Sequence, residues 1–83
     1  MRIDDIIAQI DEESTVRARI GKPHTWFFWH EGYLWPSCTS PEWGHPGYIA
    51  RIDSRVAMNG LSWRIRAKLK HKLEKMEKEG LLK

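Results

Sequence analysis

The stretch from Asn59 to Leu82 is the strongest constraint on what this chain can fold into. Ile65, Leu69, Leu73 and Met76 recur at steps of four, four and three, which places them on one stripe of a 3.6-residue helix. A helix with one apolar stripe has one face to bury, and in a chain of 83 residues that face must join the core of a single domain. Both ends are punctuated. Ser62 stands where its hydroxyl can accept an early unpaired backbone N–H, and Gly80 stands where a C′ residue needs positive φ. That register puts Leu81 at C″ and Met76 at C3, the pair that meets in a Schellman ending.

Charge is unevenly spread along this helix. Between Ser62 and Lys72 stand Arg64, Arg66, Lys68, Lys70 and Lys72 with His71 and no acid, whereas Glu74, Glu77 and Glu79 balance Lys75, Lys78 and Lys83 further on. Interleaved signs at i,i+4 stabilise a solvated helix, so an acid-free half forgoes that support. It is also what a phosphate-binding surface needs, because each neutralised phosphate releases counterions. The same bias runs through the whole chain. The formal net charge of +3 combines −4 over residues 1–15, +7 over residues 16–72 and zero thereafter. Such a body favours an anionic partner.

The totals set further bounds. The apolar and charged fractions, 41% and 30%, are those of a folded domain rather than a disordered chain. A core this small contributes few kcal/mol of net stability, so a homodimer or a bound partner would help. The single Cys38 excludes an intrachain disulfide, and with neither a signal-like segment nor a long apolar run the chain reads as cytoplasmic, with no membrane partner.

Taken in order, Ile3, Ile6, Ile7 and Ile10 predict an amphipathic helix from about Arg2 to Glu12, with Asp4 and Asp5 where the dipole favours acids. Asp11, Glu12 and Glu13 at its far end, which the dipole does not favour, predict either fraying or pairing with a basic surface, for which the basic half of the last helix is one candidate. From Thr15 to Ile20 the alternation of Val16, Ala18 and Ile20 with Arg17 and Arg19 favours a short strand over a helix capped by Ser14, and Gly21, Lys22 and Pro23 end it. Thr25 to Trp35 is an aromatic block whose β-propensity on either side of Glu31-Gly32 predicts a hairpin. Its rings fall on both strand faces, so most belong to the core and any remainder forms a patch for a partner or for base stacking.

Residues 36–47 read as a Pro/Gly loop in which Ser40 and Pro41 can open one helical turn over Glu42 and Trp43. Pro46 predicts a second helix, with Ile49, Ile52 and Val56 on one face, Arg51 and Arg55 together on its surface, and Gly60 as C′ after Asn59. The expected architecture is therefore α+β: one domain over 1–83, with an N-terminal helix, a small antiparallel sheet from residues 15–35 and two turn-linked C-terminal helices.

The sequence offers residues for three kinds of chemistry: metal binding, catalysis and binding. His24, His30, Cys38 and His45 share one loop-rich region, but the five-residue gap between His24 and His30 is not accompanied by a C-x2-C or a second short pair, so neither metal nor cofactor is expected. No phosphate-cradling glycine loop, H-E-x-x-H or nucleophile elbow is present, and neither Cys38 with a histidine nor Glu31 with His30 has a visible orienting third group. An enzyme is not expected. Binding remains.

Val56-Ala57, Gly60-Leu61-Ser62, Ile65, Leu69, Leu73, Glu74 and Glu79-Gly80-Leu81-Leu82 resemble the helix-turn-helix of winged-helix DNA-binding domains, over residues 46–82. The resemblance implies that Ser62, Trp63, Arg64 and Arg66 approach base edges while Lys68, Lys70 and Lys72 meet phosphates, with DNA favoured over RNA. Arg51 and Arg55 extend the same basic surface. The rival expectation is a small phage-type interaction module that inhibits or recruits a host protein, its Trp/Arg-rich surface set against an acidic groove.

Overall fold

A computed structural model describes residues 2–41 and 44–83. In chain order it contains helix α1 (Arg2–Arg19), strands β1 (His24–His30), β2 (Tyr33–Ser37) and β3 (Tyr48–Asp53), the one-turn helix α2 (Ser54–Ala57) and helix α3 (Trp63–Lys78). The α+β architecture is as expected, with an N-terminal helix, a small antiparallel sheet and two C-terminal helices. The turn expected to open at Ser40 runs into residues 42 and 43, which lie outside the described residues.

Helix α1 runs past Glu12 to Arg19, so the strand expected over 15–20 is instead its last turns. The buried stripe Ile3, Ile6, Ile7, Ile10 continues through Ser14 and Ala18, while Val16 and Ile20 are exposed. Ser14 tolerates burial because its hydroxyl donates to the Asp11 carbonyl at 3.1 Å. Arg17 pairs with Glu13 one turn back at 3.1 Å, the i,i+4 support a solvated face can supply. Gly21, at φ +90°, closes the helix: its N–H donates to the Ala18 carbonyl and that of Lys22 to Arg17, a Schellman ending.

The sheet is antiparallel, in the order β2-β1-β3. Glu31 and Gly32 both take positive φ, 50° and 83°, which is the two-residue turn that matches strand twist and pairs His30 with Tyr33. Residues 48–53, expected as the middle of a helix, form β3. The reason lies in its register, where Phe28 pairs with Tyr48 and Phe27 with Ala50, leaving Ile49 as an inserted residue. This bulge lets Ile49 and Ile52, three apart, both turn inward, so a strand acquires the i,i+3 spacing of a helix. Only Ser54–Ala57 of the expected second helix is helical.

Helix α3 follows its predicted bounds. Ser62 Oγ accepts the Ile65 N–H at 3.3 Å. At the other end the Leu81 N–H reaches the Met76 carbonyl at 2.9 Å and that of Gly80 reaches Glu77 at 3.1 Å. Leu69, Leu73 and Met76 are buried, with Ile65 packed at the edge of the core. These join the isoleucines of α1 and the inward residues of β1, Phe27 and Trp29, in one cluster. Burying each such side chain favours folding by roughly 1.5–3 kcal/mol.

Both long helices thus cover one face of the sheet. The molecule is a slab, 17 Å in its shortest dimension. Along β1 burial alternates: Thr25, Phe27 and Trp29 are buried, whereas His24, Trp26, Phe28 and His30 are not.

Candidate nucleic-acid interface

The residues named from sequence fall into three groups once α3 is placed. The first is structural. Ser62 is spent as the N-cap of α3. Arg66 turns back to α1, where its guanidinium pairs with Asp11 Oδ2 and its Nε donates to the Leu61 carbonyl at 3.1 Å. Asp11 Oδ1 accepts the Leu61 N–H at 3.0 Å, so one carboxylate and one guanidinium tie the turn before α3 to the middle of α1. The guanidinium carbon also lies 5.5 Å from the Trp63 ring centroid, a cation–π distance. Arg66 is therefore committed within the fold; of the two outcomes expected for the acidic stretch of α1, Asp11 shows pairing with the last helix, and the helix continues to Arg19 rather than fraying.

The second group follows from the helical repeat. Arg64, Lys68, His71, Lys72 and Lys75 step by four, three, one and three, so they share one flank of α3. Lys68 and Lys72 line a groove of about 390 Å³ between α3 and the β3–α2 segment, and Arg51 faces them from β3. Its walls are apolar, built from Ile49, Ile52, Val56, Ile65 and Leu69. Arg55 is exposed on α2 beside it. One acid is present. Asp53 Oδ1 accepts from His24 Nδ1 at 2.7 Å and from Arg51 Nε at 3.1 Å. The hydrogen bond from His24, reinforced by the nearby positive charges, holds the Asp53 carboxyl below its usual range.

The third group, Trp63 and Lys70, lies on the opposite flank of α3, the side of Glu74 and Glu77. Trp63 is 84% exposed. An interface along the groove therefore uses Arg51, Arg55, Arg64, Lys68 and Lys72, and leaves Lys70 and Trp63 at its far side.

Of the four residues named as possible ligands, His30 and His45 approach each other, with ring centroids 6.3 Å apart. His24 is held by Asp53, His45 packs its ring on Phe28 at 4.9 Å between centroids while its Nδ1 accepts the Gly47 N–H, and Cys38 is exposed. Among the described residues no group of three or more His, Cys, Asp or Glu side chains is gathered as a metal site would need.

The structure also presents a surface that sequence reading left undecided. The face of the sheet turned away from the helices carries Trp26 and Phe28 from β1, Tyr33 and Trp35 from β2, and Tyr48 and Arg51 from β3. Its sequence signal is the run of rings at every second position of β1. Among the described residues no helix is long and apolar enough to cross a membrane. Comparison with protein-family models, with curated proteins and with solved structures gave no match, so the functional reading rests on this geometry.

Proposed function

We propose that this protein is a non-enzymatic, cytoplasmic accessory protein that binds nucleic acid, DNA in preference to RNA, through the basic flank of α3 and the strand facing it. The observation that carries the reading is the segregation of Arg64, Lys68, His71 and Lys72 on one flank, across an apolar groove from Arg51. Unopposed cations on a rigid helix suit a phosphate backbone, and they are costly to keep together without an anion.

Binding to a labelled mixed-sequence duplex at about 50 and 200 mM salt tests it. Four phosphate contacts predict a fall of roughly 100-fold in affinity over that range. Replacing Arg51, Arg64, Lys68 and Lys72 together by Ala should abolish both the binding and its salt dependence, and unchanged affinity in that variant would sink the proposal. A second reading is favoured by the exposed Trp63, Tyr33 and Trp35: an interaction module that docks an acidic protein surface through aromatic and arginine anchors. Under that reading the wild-type protein ignores the duplex at both salts.

A further inference from the structure

We infer that the face of the sheet turned away from the helices, with Trp26 and Phe28 half-buried beside His45 and Tyr33 and Trp35 exposed, is a stacking platform for single-stranded nucleic acid, continuous with the basic groove; this rests on the nucleic-acid reading and specifies its ligand. Four consecutive outward positions of β1 are rings, His24, Trp26, Phe28 and His30. Their neighbours on the same face are Trp35 opposite Phe28, Tyr33 opposite His30 and Ser37 opposite Trp26 on β2, and Tyr48 opposite Phe28, Arg51 opposite Trp26 and Asp53 opposite His24 on β3. No aliphatic side chain shares this face among the described strand residues, because Leu34, Ala50 and Ile52 all turn to the helices. Aromatic and arginine side chains also anchor protein interfaces, so what favours a nucleic-acid strand here is the junction of the rings with the cationic flank. A row of flat rings suits bases, since every base has a π-face, and the Arg51 guanidinium beside them, held at one edge by Asp53, keeps further N–H groups for a phosphate.

The platform and the groove meet at Lys72. It lines the groove beside Lys68 and also lines a concavity of about 480 Å³ bounded by Trp26, Tyr48, His45 and Pro46. A strand whose phosphates follow Lys68, Lys72 and Arg51 therefore brings a base over Trp26 and Tyr48. Paired bases in a duplex hide these π-faces, so the two surfaces act together only on an unpaired strand.

The test is fluorescence anisotropy at about 50 mM salt with a fluorescein-labelled 12-nucleotide oligodeoxythymidylate and a 12-base-pair duplex. The oligodeoxythymidylate should bind more tightly than the duplex. Trp26→Ala should weaken oligodeoxythymidylate binding about 10-fold and leave duplex binding within about twofold, the loss of one stacked base. Trp26→Phe, which keeps a ring, should retain most of the affinity, and circular dichroism establishes that each variant is folded. Independently of any substitution, the oligodeoxythymidylate should shield tryptophan fluorescence from iodide. Equal oligodeoxythymidylate affinity in wild type and Trp26→Ala, with duplex binding intact, overturns the platform and leaves the basic-flank reading standing. Absence of binding to either probe overturns both and returns the face to a protein partner.

Discussion

Arg66 shows how a residue's role is decided by its partner rather than by its place in a charge run. Its neighbours Arg64 and Lys68 point elsewhere, and it alone meets Asp11, with the Leu61 backbone supplying both a donor and an acceptor to the same cluster. Both side chains are partly shielded from solvent, so the pair is stronger than a surface ion pair, and losing Asp11 also orphans the Leu61 N–H. Arg66→Ala should destabilise the protein by about 1–2 kcal/mol, and Asp11→Ala by somewhat more. A double-mutant cycle read by urea unfolding should give a coupling of about 1 kcal/mol. The salt slope of nucleic-acid binding should be unchanged in Arg66→Ala, whereas Lys68→Ala lowers it by about one. An Arg66→Ala protein that melts like wild type but loses one unit of slope would return Arg66 to the interface.

At the level of elements, what was legible in the sequence depended on how loudly each apolar stripe was written. Helix α3 states its stripe in Ile, Leu and Met and its ends in Ser62 and Gly80, and its bounds followed. The second half of α1 carries its stripe in Ser14 and Ala18, too small and polar to outweigh the exposed Val16 and Ile20. Strand β3 hides behind its bulge, which mimics helical spacing. The basic flank was legible as a list of cations, but its division between groove, far side and Asp11 needed tertiary placement. Backbone proximity was equally invisible. The chain entering β3 crosses Trp29 so closely that the Trp29 N–H donates to the Gly47 carbonyl at 2.8 Å, and a Cβ at Gly47 would overlap the Trp29 carbonyl oxygen. Backbone cannot swing aside as a side chain can. Gly47→Ala should therefore cost on the order of 3 kcal/mol. Gly32→Ala, which strains a positive φ but meets nothing within 4 Å, should cost nearer 1 kcal/mol. Urea midpoints in the reverse order would refute the close approach.

Across the whole molecule, the strand order separates the charges that the sequence already divides. Glu12 and Glu13 of α1 lie beside Leu34 and Pro36 of β2, while Lys68 and Lys72 of α3 lie beside β3, so the acidic and basic edges are at opposite sides of one sheet. On the proposed nucleic-acid reading, a polyanion would be directed to the β3 edge and repelled from the other. That arrangement depends on holding both helices to a thin core, and the two ends of the chain close it. The Arg2 guanidinium donates to the Leu82 carbonyl and lies 5.4 Å from the Trp29 ring centroid, while the Leu82 side chain is 2% exposed. A residue one place from the end of the sequence is thus a core residue. For a domain of this size total stability is about 4–12 kcal/mol, so a single cavity is a large fraction of it. Leu82→Ala should cost about 3 kcal/mol and lower the thermal midpoint by roughly 15 °C, as read by circular dichroism. A shift of under about 3 °C would mean that the final residues do not close the core, and the basic edge would then owe its position to α1 and Asp11 alone.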